Sequence, residues 1–386
     1  MDISAFYFPV FWLLIAVLVI GLMVVSTGMA FYKQKILLDP LHGWAVQRQL
    51  HVLNFLRNGI RALAALLVIF GSVLWWANHR AESRARADQR ARLIPAYDAS
   101  TLWHAPDPYL AETDEHRELI AYGRDLIAHT QDYFGEEGIV QHGSINNLNC
   151  QSCHLDAGSK PFGNNYFAVA STYPQMRARS GSLETMSKRV NDCFQRSLNG
   201  QAIDTTGREM RAILAYIKWL GTGVPKGEKP KGTGLVEVPM LDRAADPERG
   251  KYVYQSKCAS CHGPNGQGGP MPDSPREYPP LWGEKSYNEA AGLFRLSRLA
   301  GYVKANMPFG ASFDNPQLSD EEAWDVAAFI NSQARPPHPF LSTDWPDIGK
   351  KPFDHPFGPY KDTFPEIMHK YGPFGPIVAF QKQNRK

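Results

Sequence analysis

The sequence predicts a mainly α-helical protein in which two membrane-spanning helices precede two small helical domains and an extended C-terminal arm. Three observations predict this organisation. Two long segments near the N-terminus carry no charge, a five-residue motif occurs twice, and several later segments have apolar residues at the period of an α-helix. A chain of 386 residues is long enough for two or three domains.

The two uncharged segments have the length and composition of membrane spans. The first, residues 3–32, exceeds the roughly 20 apolar residues that cross a bilayer as a helix. It is also too long for the apolar part of a cleaved signal peptide. The second, residues 62–78, ends with two tryptophans, which favour the membrane interface. The predicted anchor is residues 1–95, with spans at about 5–30 and 60–78, a loop at 33–60 and a short helical stalk.

The repeated motif is Cys-x-x-Cys-His, at residues 150–154 and 258–262. This spacing is typical of c-type haem attachment, in which two thiols form thioethers and the adjacent His binds the iron. A zinc knuckle or a redox dithiol does not need a His directly after the second Cys. The sequence therefore predicts two covalently bound c haems. The residues that would attach them are Cys150, Cys153 and His154 for the first haem, and Cys258, Cys261 and His262 for the second.

The first haem motif lies between two predicted helices. Thr113 caps a helix that runs toward Gln131, before the motif. After the motif, apolar residues recur at helical spacing near residues 207–220, and Gly221 ends that helix. A loop-rich stretch separates the two. This is the arrangement of a small, mostly helical cytochrome c-type domain, which we predict over residues 96–225.

The second motif has the same surroundings. A helix approaches it from Pro247, and a closing helix begins at Ser319 with Glu322 three residues later, which is a capping box. The predicted buried face of the closing helix is Ala323, Val326, Ala327 and Ile330. Residues 226–335 are therefore predicted to form a second cytochrome c-type domain, and a Lys-, Gly- and Pro-rich linker lies at 225–234.

The C-terminal residues 336–386 are rich in proline and show no clear helix or strand period up to residue 377. Pro-rich sequence is often disordered. Eight aromatic residues between positions 340 and 374 indicate instead that this segment buries apolar surface. We predict an extended arm that packs over both cytochrome c-type domains.

The compartment follows from the haem chemistry. Attachment of this type takes place outside the cytoplasm, so the residues after Asn78 are predicted to be periplasmic and the 33–60 loop cytoplasmic. Five arginines between residues 80 and 92 conflict with the positive-inside rule, but we give the haem chemistry more weight. The predicted location is the inner (cytoplasmic) membrane, with the haem domains in the periplasm. A net charge of only +3 does not predict nucleic-acid binding.

A low-spin carrier haem needs a second axial ligand. In the second domain, Met307 follows the haem motif and precedes the closing helix. Met271 lies only nine residues after His262, which leaves little chain to reach the opposite haem face. We therefore predict Met307 as the ligand, with Lys304 as a minor alternative. The candidates in the first domain are Met176, Met186 and Cys193.

Cys193 is the one cysteine outside the two haem motifs. A helix capped by Ser182 would place it on a surface with Arg189, four residues earlier. Three and four residues later come Arg196 and Ser197, on the same surface. Neighbouring guanidinium groups stabilise a thiolate, the form that binds metals and attacks sulfur. The alternative is a buried structural cysteine, which is the commonest role of a lone one.

Several segments share residues with one known family. They are Asn149–Gly158 around the first haem motif, Tyr173-Pro174 followed by Arg177 and Arg179, Arg189–Gly200 around Cys193, and, in the arm, Pro352–Asp362 and His369–Ile377. Over roughly residues 115–380 the chain resembles the thiosulfate dehydrogenases. These are dihaem periplasmic cytochromes that couple two thiosulfate ions to tetrathionate.

The resemblance implies roles for individual residues. Cys193 would be the distal ligand of the first haem, which would be the active-site haem, and Met307 would ligate the electron-exit haem. The residues implied to line the substrate pocket are Arg189, Arg196 and Ser197. Outer candidates for binding the anion are Arg177, Arg179 and Arg208. The family pattern has an aromatic residue where this chain has Met176, which keeps that methionine as a rival ligand, and a two-span anchor is unusual for the family.

The predicted function is oxidation of two thiosulfates to tetrathionate by a membrane-anchored enzyme, with the reverse reaction open to the same site. Cys193 would bond the sulfane sulfur of one thiosulfate, and the second would displace it as tetrathionate. Electrons would pass through both haems to an electron-accepting cytochrome or respiratory complex. One alternative is a membrane-tethered dihaem carrier without a substrate, which needs no arginines around a thiol. The second alternative is a tetrathionate reductase or another Sox-type sulfur-oxidising cytochrome.

Overall fold

The computed structural model of the chain describes residues 3–38, 43–94, 96–106, 113–146, 148–274, 276–338 and 341–384. The chain divides into two compact units, Met1–Arg92 and Leu93–Lys386. In the part that the structure describes, helices predominate and the strands form two short antiparallel pairs. The mainly α-helical class predicted from the sequence is confirmed.

The first unit contains two long helices, α1 (Ile3–Leu38) and α2 (Gly43–Leu93). Gly21 lies beside Ile60 and Gly28 beside Leu53, so the two helices run antiparallel. Both contain a window that is long and apolar enough to cross a membrane. At 1.5 Å per residue, α2 is about 76 Å long, well beyond the roughly 30 Å of a hydrocarbon core.

The prediction of a loop at residues 33–60 is wrong. Helix α1 continues to Leu38, and α2 already begins at Gly43, so most of this segment is helical. Charged and polar residues here were expected to end the spans. They interrupt the apolar character of the chain but not its helicity, because Arg, Gln and Leu are all good helix formers.

The second unit contains both haem motifs. The elements around the first are α3 (Asp114–Ala128), α4 (Thr130–Phe134), α5 (Leu155–Gly158), α6 (Val169–Thr172), β1 (Gln175–Arg177), β2 (Ser182–Glu184), α7 (Met186–Arg196) and α8 (Arg208–Leu220). The side chain of Thr113 accepts a hydrogen bond from the amide of His116, so this residue caps α3 as predicted. Helix α8 ends at Gly221, also as predicted.

The elements around the second motif are α9 (Pro247–Lys257), α10 (Ala259–His262), β3 (Gly269–Pro270), β4 (Glu277–Tyr278), α11 (Leu296–Asn306) and α12 (Asp320–Ser332). The predicted capping box is present, because Ser319 and Glu322 each accept a hydrogen bond from the other's amide. The predicted apolar face of α12 is buried. Both the cap and the face follow from local sequence alone.

The same helix crossing occurs around both motifs. Helices α3 and α8 approach so closely at Gly123 that an added Cβ would lie 2.0 Å from the carbonyl oxygen of Ala212. Helices α9 and α12 cross at Gly250, where an added Cβ would lie 1.8 Å from the carbonyl oxygen of Asp325. Each crossing brings the first and last helices of a domain together, so both domains have the same framework.

The start of α7 differs from the prediction. Ser182 does not cap it, because residues 182–184 form β2 and pair with β1. The cap is Thr185, whose side chain accepts a hydrogen bond from the amide of Lys188. Leu183, which a helix starting at Ser182 would include, lies in β2 and is 62% exposed. Both Ser and Thr are good caps, and the strand pairing selects the second of them.

The arm contains more regular structure than predicted. It includes α13 (Glu366–Tyr371) and α14 (Gly375–Asn384), which are 6 and 10 residues long. Both are shorter than the windows of about 11 to 18 residues in which helical periodicity can be read. Phe374 packs on Trp324 of α12 with the ring centroids 5.5 Å apart. Through Phe374 the arm therefore packs against the second domain.

The two domains also contact each other directly. Asn288 donates hydrogen bonds from its side chain to the carbonyl of Gln195 (2.9 Å) and to the side chain of Asn199 (3.0 Å), both beside the end of α7. The side chain of Asn146 donates to the carbonyl of Ser286 at 2.9 Å. These contacts hold the end of α7, and with it Cys193, against the second domain.

Candidate haem sites and active site

The first haem motif begins with one turn of 3-10 helix. Asn149 and Ser152 form a reciprocal capping box around this turn, and the amide of Cys150 donates to the hydroxyl of Thr130 at 2.9 Å. Burial, and then the electrostatic effect of Cys193, raise the pKa of Cys153 to about 12. Cys193 therefore lies close to the thiols of the motif.

His154 is held in the form that binds a metal. Its Nδ1 is hydrogen-bonded to the carbonyl of Asn164, and its ring stacks on Tyr166 with the centroids 4.4 Å apart. Burial, with a smaller contribution from the charge of Arg189, lowers the pKa of His154 to about 4 against the opposing hydrogen bond to Asn164. A neutral imidazole with Nδ1 occupied presents Nε2 to a metal. These donors fit a covalently attached haem.

The second motif is built in the same way. Nδ1 of His262 is hydrogen-bonded to the carbonyl of Pro279 at 2.9 Å, and burial lowers the pKa of this imidazole. A cavity of about 590 Å³ is lined by the motif residues Cys258, Cys261 and His262 together with Met307. This volume is within the range of about 300 to 1,000 Å³ that is usual for cofactor sites. The second motif therefore also fits a haem.

The structure shows where the three candidate axial ligands of the second haem lie. Met307 lies at the end of α11, and both Met307 and Met271 line the cavity. The chain-length argument against Met271 is therefore weaker than the sequence indicated. Lys304 is engaged elsewhere: its ammonium group donates to the carbonyl of Leu318 and pairs with Asp320, both at 2.7 Å. Because these contacts occupy its ammonium group, Lys304 is a poor candidate for an iron ligand.

The two haem sites adjoin. Ser152 and Cys153 of the first motif also line the cavity of the second. Tyr302 of α11 lines the same cavity, and its hydroxyl donates to the carbonyl of Ser152 at 2.9 Å. A single helix of the second domain thus touches the first motif through Tyr302 and ends at Met307. Electron transfer between the two haems requires such proximity.

Cys193 lies in the last turn of α7. The helix is anchored by Phe194, which is fully buried and packs edge-on against Phe134 at 5.2 Å. The negative charge of Cys193 is the largest cause of the raised pKa of Arg189. The structure therefore brings together three of the predicted site residues, Cys193, Arg189 and His154. The amide of Ser197 donates to the carbonyl of Cys193 at 2.9 Å, so this predicted residue continues the same helical turn.

Arg196 has a partner that the sequence did not reveal. Its guanidinium forms two hydrogen bonds with the carboxylate of Asp344 in the arm, at 2.6 and 2.8 Å. Of the outer candidates, Arg179 lies within electrostatic reach of both Arg189 and Arg196. Burial, and then these two cations, lower its pKa to about 10. We call Arg177, Arg179, Arg189 and Arg196 the arginine cluster.

Three other candidates, one arginine and two methionines, are not part of this cluster. Arg208 stacks over the ring of Tyr122, with its guanidinium carbon 4.7 Å from the ring centroid. Met176 is 67% exposed, which is a poor setting for an axial ligand. Met186, at the start of α7, packs partly buried against the core. No local sequence signal identifies Asp344, because 148 positions separate it from Arg196.

Known proteins resemble the chain in the same regions. Residues 139–225 match the family model "SoxA/TsdA, cytochrome c domain", and residues 247–334 match that of cytochrome c. The thiosulfate dehydrogenase of Psychrobacter arcticus is 36% identical over 251 residues, which are 64% of this chain and 73% of that protein. The thiosulfate dehydrogenase of Thiomonas intermedia is 33% identical over 282 residues, which are 72% and 84% of the two chains.

A solved structure shows the same likeness. The thiosulfate dehydrogenase (TsdBA) of Marichromatium purpuratum, in its as-isolated form, superposes with a TM-score of 0.56 at 32% sequence identity. The superposition covers 62% of this chain and about half, 51%, of that chain. Two cytochrome c domains imply two covalently bound c haems. Since its relatives are more than 30% identical over more than two thirds of their own length, the chain belongs to the thiosulfate dehydrogenase family.

Proposed function

We propose that this protein oxidises two thiosulfate ions to tetrathionate beside its first haem and passes the electrons out through its second. The observation that carries the proposal is the position of Arg189, one turn before Cys193 on α7 and within electrostatic reach of both Cys193 and His154. A carrier haem needs neither a thiolate nor a cluster of arginines. Thiosulfate is a doubly charged oxyanion, and the planar guanidinium fork matches such a group.

The attachment and ligand residues are assigned accordingly. Cys150 and Cys153 would form the thioethers of the first haem, with His154 and Cys193 as its axial ligands. For the second haem the corresponding residues are Cys258, Cys261, His262 and Met307. When bound, the haems accept electrons one at a time. The domain limits that we propose are 1–95 for the anchor and stalk, 96–225 and 226–335 for the cytochrome c domains, and 336–386 for the arm.

The chain's own residues account for the sulfur chemistry. The thiolate of Cys193 bonds the sulfane sulfur of one thiosulfate, and formation of this S–S bond releases two electrons. The sulfane sulfur of the second thiosulfate then attacks the bound sulfane sulfur, tetrathionate leaves, and the thiolate is regenerated. Arg189 holds the negatively charged groups together against their repulsion. The balance of the whole cycle is two thiosulfates to one tetrathionate and two electrons, and the same steps run in reverse.

Electrons leave through the second domain. The contact of Tyr302 with the first motif and the position of Met307 on the same helix support this direction. We propose that an electron-accepting cytochrome or a respiratory complex takes them up. The two long apolar helices support anchoring in the inner membrane, with the haem domains in the periplasm.

The test of the activity is a pair of assays on the purified holoprotein. Thiosulfate should reduce ferricyanide with tetrathionate as product, and a low-potential donor should drive the reverse reaction. Cys193→Met should keep a six-coordinate low-spin haem, because a thioether is also a competent ligand. It should lose nearly all thiosulfate oxidation, since Met cannot form the sulfur adduct. Wild-type turnover in this variant would assign Cys193 a structural role and favour the electron carrier.

The test of the anchor is a pair of alkaline phosphatase fusions in cells. A fusion after Gly43 should be inactive and a fusion at Lys386 active, because the second span lies between Gly43 and the proposed periplasmic domains. Equal activity at both points would contradict the two-span topology.

A further inference from the structure

The arm places a carboxylate where an oxyanion would bind. Asp344 meets Arg196 in a bidentate pair, with Nη1 2.6 Å from Oδ2 and Nη2 2.8 Å from Oδ1. Both side chains are nearly buried, at 8% and 12% exposure. Arg196 lies three residues after Cys193 on α7, so the two share one face of the helix. Parallel N–H groups of this kind are how proteins hold carboxylates and other planar or tetrahedral oxyanions.

Other arginines lie within electrostatic reach of this pair. Burial, and then Arg189 and Arg196, lower the pKa of Arg179, and the opposing charge of Asp344 does not offset them. Arg177 is partly neutralised by Glu184, with Nε 3.7 Å from the buried carboxylate. The repulsion among the arginines of the cluster is therefore only partly offset, which favours binding of a further anion once the arm makes room for it.

The arm is held by hydrogen bonds and an ion pair at two points, one beside the arginine cluster and one on the second domain. The amide of Trp345 donates to the carbonyl of Arg179 at 2.6 Å, directly after Asp344. Further along, Asp354 pairs with Arg295 at 2.6 Å and accepts hydrogen bonds from Ser297. A cavity lined by Arg179, Asp344 and Trp345 has a volume of about 20 Å³, which has room for one water. Asp344 engages both terminal nitrogens of Arg196, so a thiosulfate ion needs Asp344 to leave before it can form the same pair.

We propose that Arg196, with Arg179, forms the subsite of the second thiosulfate, and that Asp344 is an internal competitor which this thiosulfate displaces. The inference rests on the proposed function, because that reaction needs two dianions at once and Cys193 with Arg189 accounts for one. Between turnovers, Asp344 neutralises a buried guanidinium that would otherwise stay unpaired at high cost.

The kinetic test is Asp344→Asn. Removing the competing charge should lower the KM for thiosulfate by about tenfold, since a charge-assisted contact in such a site contributes on that order. The matched control is Asp354→Asn, which breaks the buried ion pair of the arm with Arg295 but leaves Arg196 paired. It should loosen the arm without lowering the KM. An unchanged or raised KM in Asp344→Asn would overturn the proposal, and so would an equal decrease in both variants.

A double variant tests whether Arg196 is the site of competition. In Arg196→Gln with Asp344→Asn the guanidinium and the carboxylate are both absent, so charge balance is retained and folding is favoured. The KM should return to the wild-type value or exceed it, because the subsite itself is lost. If the double variant keeps the low KM of Asp344→Asn, the anion binds somewhere other than Arg196.

Sulfate provides a readout that does not depend on turnover. In Asp344→Asn, the thermal midpoint should fall in the absence of added anion and recover with sodium sulfate, because the anion binds only the folded state. Wild type should respond much less, since Asp344 already fills the site. If the wild-type protein does not oxidise thiosulfate, the proposed function is rejected. The sulfate response can still be measured in that case. An equal response in wild type and variant would reject the competitor role by itself.

Discussion

Arg189 offers the sharpest test of the catalytic arrangement. It lies one turn before Cys193 on α7, and the thiolate is the main reason for its raised pKa. Arg189→Gln keeps the length and the helix propensity of the side chain but removes its charge. A hydrogen bond to a charged group contributes about 1.5 to 3 kcal/mol. The expected loss in kcat/KM for thiosulfate is therefore about 10- to 150-fold.

The assay is steady-state ferricyanide reduction by thiosulfate, with KM and kcat determined separately. Most of the loss should be in KM, because Arg189 binds the anion in the ground state as well as in the transition state. Lys188→Gln is the matched control, one residue away on the same helix. Its side chain is 45% exposed, and its ammonium group pairs with Asp192 at 3.2 Å and with Glu184 at 3.4 Å rather than with Cys193, so its removal should change kcat/KM by less than about twofold. Wild-type kcat/KM in Arg189→Gln would refute the reasoning.

Three further perturbations test other parts of the molecule. Gly250→Ala should destabilise the second domain by about 2 kcal/mol in denaturant unfolding, because the overpacking at the helix crossing exceeds the gain in helix propensity. Gly292→Ala, where an added Cβ meets no atom within 4 Å, should have little effect. Met307→Ala should make the second haem high-spin in absorption spectra and lower kcat with little change in KM, and unchanged spectra would favour Met271. Burial lowers the pKa of His355 to about 4, so the neutral form is favoured in the folded state. The contribution of His355 to the free energy of unfolding is therefore fully present above pH 6.5. It declines by up to about 3 kcal/mol as the pH falls to 4. His355→Gln should remove that part of the decline.

The amino-acid sequence by itself determined the features that depend on a few neighbouring residues. The two haem motifs, the cap of α3 at Thr113, the capping box at Ser319 and the end of α8 at Gly221 all rest on side chains and backbone groups within four positions of each other. Such interactions form in the same way wherever the segment lies. The placement of Arg189 beside Cys193 also follows from helical spacing, once the segment is known to be a helix.

Tertiary structure decided the rest, because the partners are far apart in the chain. Ser182 and Thr185 are both competent caps, and only the pairing of β2 with β1 selects between them. Nothing near Arg196 in the sequence indicates that Asp344 neutralises it, since the contact exists only when the arm packs over the first domain. Helical spacing therefore identified the arginines that surround the thiol. Long-range packing determined which of them is free to bind an anion.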